Sequence, residues 1–159
     1  MNTTPNRPSE TRPRPQTRTW LAAVLSLMAR LLTARPAVAE DYRVVLVTKG
    51  DLLDQERKLA QSGLGDLFDA VEIVSEKTPQ IYHEIFTRHA EGPERAMMVG
   101  NSMRSDVVPP ITAGGWGIYV PHGQIWEVEH AEPPSDSPRY HTIEHLGQLP
   151  DLVARINAI

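Results

Sequence analysis

Three short polar segments of this 159-residue chain carry residue types that handle an anion or a hard cation. Thr48-Lys49-Gly50-Asp51 follows an apolar run and opens a helical pattern. A hydroxyl and the free N–H groups at a helix start form an anion site, although Thr in that place serves equally well as a helix cap. Lys77 follows Ser75-Glu76 at the end of the next apolar run. A lone lysine before a helix is usually solvated, and Glu76 would screen it. The third segment, Gly100-Asn-Ser-Met-Arg-Ser-Asp106, turns at its glycine and places Asn101 and Asp106 five residues apart on a loop. Oxygen ligands so placed, with waters, suit Mg²⁺. An Asx-type turn with Asp106 capping the following helix fits the same residues.

The other polar signals are blander. The chain has no cysteine, which excludes disulfides, thiolate metal sites and cysteine nucleophiles together. His141 and His145 sit four apart, but Gly147 and Pro150 break any helix that would align them, so both are expected at the surface. His83 and His89 are expected to flank a helix surface. Trp116, Tyr119 and Trp126 fit core and loop packing, because no basic groove accompanies them as a nucleic-acid platform would require.

The elements that must hold these segments alternate between strand and helix. Val44-Val-Leu-Val47 is apolar on both faces, as a buried parallel strand is. Leu52, Leu53, Glu56, Leu59 and Ala60 then follow helical spacing, which stops at Gly63. Val71-Glu-Ile-Val74 is a second strand. Thr78-Pro79 opens the next helix, with Thr as cap and Pro in the first turn, and Ile81, Ile85 and His89 fall on one face. Ala96-Met-Met-Val99 is a third strand, leading into the Gly100–Asp106 loop and a short helix that ends at Gly114-Gly115. Trp116-Gly-Ile-Tyr-Val120 is a fourth strand, residues 121–140 an irregular acidic loop, and residues 149–159 a closing helix with Leu152, Val153 and Ile156 inward. Such alternation predicts an α/β fold with a Rossmann-like open parallel sheet, whose ligands bind at the carboxyl ends of the strands.

Composition divides the chain at residue 40. Residues 1–40 carry six arginines against two glutamates, and the rest of the chain is net acidic, giving -4 overall. Four of the fourteen prolines fall in the first fifteen residues, so residues 1–18 are expected to be disordered. Residues 20–39 hold an apolar stretch and an Ala37-Val38-Ala39 site, a secretory leader pattern interrupted by Arg30 and Arg35. An amphipathic helix packed on the domain, or a leader foreign to the fold, accounts for the same residues. The reading is therefore a basic segment at 1–40 and one α/β domain at 41–159. The acidic balance excludes a nucleic-acid footprint, and no apolar run is long enough for stable membrane insertion.

The order and placement of the three polar segments resemble the haloacid dehalogenase-like hydrolase superfamily, in the C-terminal part of its core domain. There a Thr or Ser closes one strand, a Lys precedes a later helix, and a Gly-Asp-x-x-x-x-Asp-type loop follows another strand. The counterparts here are Val44-Val-Leu-Val-Thr48, Ser75-Glu-Lys77 before Thr78-Pro79, and Val99-Gly-Asn-Ser-Met-Arg-Ser-Asp106. Lys58-Leu-Ala-Gln-Ser-Gly-Leu-Gly65 with Leu67-Phe-Asp69 looks like the helix and turn between the first two motifs. The resemblance implies phosphoryl transfer to an Asp nucleophile and then to water, with Mg²⁺ bound and a small phosphorylated substrate. It implies that Thr48 and the backbone N–H of Lys49 hold the phosphoryl group, that Lys77 neutralises its charge, and that Asn101 and Asp106 hold Mg²⁺ or its waters.

Two departures bear on that expectation. Asn101 stands where the family usually has Asp. The nucleophile motif Asp-x-Asp is absent, since no two of the eight aspartates are two residues apart. The strand that carries this motif is central in the family sheet, between the strands ending at Thr48 and Val99. Its loss leaves a slot of two interstrand spacings, roughly 10 Å. Either the two flanking strands close on each other, or residues 20–32 fill the slot, or the fold stays loose. The sequence therefore reads as a core lacking its first strand, a truncated hydrolase inactive alone. The alternative is a non-catalytic phosphate-binding or regulatory module. The location implied is cytoplasmic, or exported if residues 20–39 act as a leader. A phospho-receiver domain also uses Thr and Lys but needs an acceptor Asp at an earlier strand end, which this sequence lacks.

Overall fold

Val45–Lys49 forms strand β1, and the chain then turns at Gly50 into helix α1, Leu52–Ser62. The computed structural model describes residues 42–122 and 131–158. Asp51 caps α1 by accepting the N–H of Asp54 at 3.2 Å, and Gly63 closes it in the left-handed conformation, φ 67°. Strand β2, Ala70–Val74, runs parallel to β1 in a register from Val45↔Ala70 to Lys49↔Val74. Helix α2, Pro79–His89, starts as its sequence predicts: Thr78 Oγ1 accepts the N–H of Ile81 at 3.3 Å, and Pro79 occupies the first turn. Strand β3, Met97–Gly100, leads through a π-helical turn at Met103–Val107 into the short helix α3, Val108–Thr112. Strands β4, Trp116–Tyr119, and β5, Tyr140–Thr142, follow, and α4, Leu149–Asn157, closes the described chain.

Every ladder is parallel, as expected of an α/β domain. Among the described residues the strands form two sheets: β1 with β2, and β3–β4–β5. The first of the three expected ways across the slot is thereby excluded, because β1 and β3 do not pair. Whether residues 20–32 lie between them falls outside the described residues, as do the disorder and leader expectations for 1–39 and the position of Trp126.

Helix α2 joins the two sheets. Its buried face, Tyr82, Ile85 and Phe86, packs against Val47 and Val74 of the first sheet, against Met98 of the second and against Ala96 just before it. Successive side chains of a strand point to opposite faces. Met97 and Val99 therefore turn the other way, onto a cluster of Ile118, Val120, Ile143, Leu146, Leu149 and Leu152 that seats α4.

Helix α1 follows the expected spacing to Gly63, with Leu52 and Leu53 54% and 74% exposed and no residue fully buried. The sequence expectations for β1 and His89 need correction. The strand expected to be buried on both faces, β1, is half-buried, since it has a partner on one edge only among the described residues. As expected, His141 and His145 share no helix. His141 lies on β5, which the sequence did not announce, and stacks on Trp116 at 5.9 Å between ring centroids, with Arg139 also over that indole. His145 precedes the 3₁₀ turn Leu146–Gln148. His89 is not a surface residue: its side chain is largely buried and its Nε2 lies 2.6 Å from Glu72 Oε1 on β2. His83 is exposed. No helix among the described residues is long and apolar enough to cross a membrane.

Candidate functional site

The loop beyond β2 and the turn beyond β3 meet through an ion pair. Lys77 Nζ lies 2.7 Å from Asp106 Oδ1, and the two side chains are only 13% and 8% exposed. Burial of opposite charges at hydrogen-bond distance is tolerated because each supplies what the other lost from water. Both residues follow the carboxyl ends of parallel strands, and Thr48 lies in the last two residues of β1, so all three occupy the ligand-binding rim of the fold. The expectation that Glu76 screens Lys77 is corrected: Glu76 pairs at 3.7 Å with the exposed Lys49 instead.

Local structure holds Asp106 from several sides. Ser102 begins the π turn as its cap, with its Oγ accepting the N–H of Ser105 at 3.0 Å. Asp106 therefore does not cap a helix. Its Oδ2 reaches back and accepts the N–H of Ser102 at 3.1 Å. Gly100 matters for space rather than for a tight turn: a Cβ there would meet the Cβ and Cγ of Asp106 at 2.5 Å. Tyr82, fully buried on α2, donates its hydroxyl to the carbonyl of Ser105 at 2.9 Å. Burial first, and then the Asp106 carboxylate, push the Tyr82 hydroxyl well above its ordinary range, so it remains a donor. The sequence reading missed Tyr82 and Ser102. The spacing of Tyr82, Ile85 and Phe86 along one helix face was the available signal for Tyr82.

Thr48 is not the helix cap, a role that Asp51 fills. Its hydroxyl donates to Gln55 Oε1 at 3.0 Å, across the turn between β1 and α1. The Asn101 side chain makes no hydrogen bond among the described residues, while both oxygens of Asp106 are engaged. The structure thus brings Lys77 and Asp106 together and leaves Thr48 bonded to Gln55, Lys49 to Glu76, and Asn101 apart.

This donor set does not fit Mg²⁺ unaided. One carboxylate already neutralised by lysine and one neutral carboxamide are a poor offer to a hard dication. No group of three His, Cys, Asp or Glu that could hold a metal exists among the described residues. A depression of about 380 Å³ lies elsewhere, lined by Glu56, Leu59, Ala60, Gly63, Gly65 and Asp66.

Known proteins share this arrangement of elements. A solved haloacid dehalogenase-like family hydrolase from Xanthomonas campestris is 44% identical and superposes with a TM-score of 0.70, over 82% of this chain and 54% of that one. The chain is similar in sequence and fold to haloacid dehalogenase-like hydrolases. It is similar to the C-terminal part of that core. A 2-haloacid dehalogenase from Pseudomonas syringae, 23% identical with a TM-score of 0.58, shares the fold over 80% of this chain and 53% of that one. A glyceraldehyde 3-phosphate phosphatase of Methanothermobacter thermautotrophicus is 28% identical over 120 residues, 72% of this chain and 53% of that protein. The chain thus spans about half the length of these haloacid dehalogenase-like relatives. No family model matches it.

Proposed function

We propose that this domain carries the phosphoryl-binding half of a haloacid dehalogenase-type phosphohydrolase site and takes a small phosphorylated substrate. The observation that carries the reading is the largely buried Lys77–Asp106 pair at the carboxyl ends of two separate sheets. A lysine so placed presents its ammonium to whatever anion enters the rim between the sheets. Lys77 neutralises phosphoryl oxygens, while Asp106 fixes where its ammonium points. The Thr48 hydroxyl and the Lys49 backbone N–H supply neutral donors to the same oxygens. Likeness to a phosphatase, at 28% identity, supports the substrate class.

Hydrolysis needs a nucleophilic carboxylate, and this sequence has no Asp-x-Asp to supply one. The chain by itself is therefore proposed to bind phosphate without turning phosphomonoesters over. Mg²⁺ at Asn101 and Asp106 belongs to the same proposal only where further anionic oxygens join them, and no step is assigned to it. The Asn at 101, with one negative charge fewer than Asp, also favours a second reading, a binding module without turnover.

Calorimetric titration with inorganic phosphate tests the site. Saturable binding is expected, and Lys77→Gln, whose amide still donates to Asp106, should weaken it about ten-fold. Unchanged binding in that variant, or none in the native chain, would remove the proposal. Turnover of p-nitrophenyl phosphate that is lost in Lys77→Gln would overturn the inactive reading of this chain and restore a complete catalyst.

A further inference from the structure

Thr48 faces a problem that its own geometry poses. A hydroxyl has one proton and two lone pairs. Here the proton is directed to Gln55 Oε1 at 3.0 Å, so Thr48 offers an incoming oxyanion only lone pairs. Rotating the hydroxyl toward the anion would set the Oγ1 lone pairs against the Gln55 carbonyl oxygen. Gln55 carries the remedy on the same group. Its Nε2 donates to no acceptor among the described residues and is not sealed in the interior. The turn is shaped around this amide. Gly50 stands at φ +148°, and a Cβ there would come within 2.6 Å of Gln55 Nε2 and 3.3 Å of its Cδ and Cγ.

We infer that Gln55 is a positioning residue for Thr48: its amide turns over when a tetrahedral dianion binds, and its N–H then donates to Thr48 Oγ1 while Thr48 donates to the anion. The inference rests on the phosphate-site reading above and adds a residue to it. A half-turn of the amide is nearly isosteric. It replaces a closed hydroxyl–carbonyl pair with a chain of donors pointing at the ligand, in which each bond polarises the next. Only an amide does both. Glutamate accepts from Thr48 but, ionised, cannot donate; leucine does neither.

The probe is inorganic sulfate, a dianion at every pH used, titrated calorimetrically into the full chain at pH 7.5 and pH 4.5. Each variant is compared with the native chain at the same pH. Gln55→Glu should bind sulfate about ten-fold more weakly at pH 7.5, since it holds the Thr48 proton and adds a like charge. Its melting temperature without sulfate should match that of the native chain. At pH 4.5, where a protonated glutamate can donate, the deficit should largely vanish. The side-chain amide signals of Gln55 should also shift with sulfate in the native chain. If Gln55→Glu proves unstable, Gln55→Leu serves, with a loss of about three-fold that is equal at both pH values.

Native binding that is lost in Lys77→Gln but kept in Gln55→Glu at pH 7.5 would overturn the role of Gln55 alone. A deficit equal at both pH values in Gln55→Glu, or Gln55 amide signals that stay still while sulfate binds, would do the same. No sulfate binding in the native chain would overturn both the site and this role.

Discussion

The two sheets of this molecule are built from similar strands and packed very differently. In the β1–α1–β2 unit no residue is fully withdrawn from solvent, and Leu53 is 74% exposed. In the β3–β4–β5 unit Ile118 is wholly buried, and Val120, Ile143, Leu146, Leu149 and Leu152 close around it. Pairing does not explain the contrast, since β1 and β2 share a regular five-residue ladder. Layering does. The second sheet is covered by α4 on one face and by α2 on the other, whereas the apolar residues at the start of α1 turn toward solvent. A sheet needs a layer on each face before its side chains leave water. The candidate site straddles the divide, with Asp106 fixed by the packed unit and Thr48 carried by the open one.

The largest expected effect tests the contrast directly. Ile118→Ala should cost about 3–4 kcal/mol in urea unfolding, and Leu53→Ala under about 0.5 kcal/mol. Comparable costs would mean that the first unit has a core after all. Next, Lys77→Ala should cost about 3 kcal/mol by leaving Asp106 charged and unpaired in a largely buried place. Adding Asp106→Asn should recover part of that loss, and a double-mutant cycle without coupling would show that the pair does not join the units. Tyr82→Phe should cost about 1–2 kcal/mol, because the Ser105 carbonyl loses its buried donor. Amide exchange quickened at residues 103–107 but not in α1 would place that loss in the packed half.

The smallest effect concerns Glu72 on β2. Burial pushes its carboxyl up, but hydrogen bonds from His89 and Arg88 outweigh burial and leave it below the ordinary carboxylate range. A group whose folded value is lowered contributes fully above its unfolded value and loses that contribution as pH falls through the folded one. Stability should therefore drop below about pH 4.5 in the native chain, by under about 1 kcal/mol from this group. Glu72→Gln should flatten that limb, and an identical acid limb in the variant would remove Glu72 as the cause.

Much of the fold was legible in local pattern. The runs at 71–74 and 96–99 and the Thr78-Pro79 start needed only neighbours in the chain to declare themselves, and each lies within two residues of its place. β5 escaped because three residues, Tyr140–Thr142, carry too little period, and their pairing partner, β4, lies some twenty residues earlier. Leu52 and Leu53 show what local pattern leaves open. Helical spacing says that a stripe exists, not that anything covers it. Within the site, the sequence marked Thr48, Lys77 and Asp106 as residues of the right type near strand ends. It could not show that Glu76 turns to Lys49, or that Gly100 is small to admit Asp106.

The sequence by itself determined the alternation of strand and helix, the parallel sense that follows from it, and the polar residues at the carboxyl ends of the strands. These depend on periodicity and on capping chemistry, which act within a few residues. Only the tertiary structure decided that the described strands form two sheets, that α2 bridges them, and which partner each polar side chain takes. Those outcomes depend on contacts between residues far apart in the chain: Lys77 with Asp106 across 29 positions, Glu72 with His89 across 17, Tyr82 with Ser105 across 23. Burial and hydrogen bonding settle such choices only when the whole chain is in place.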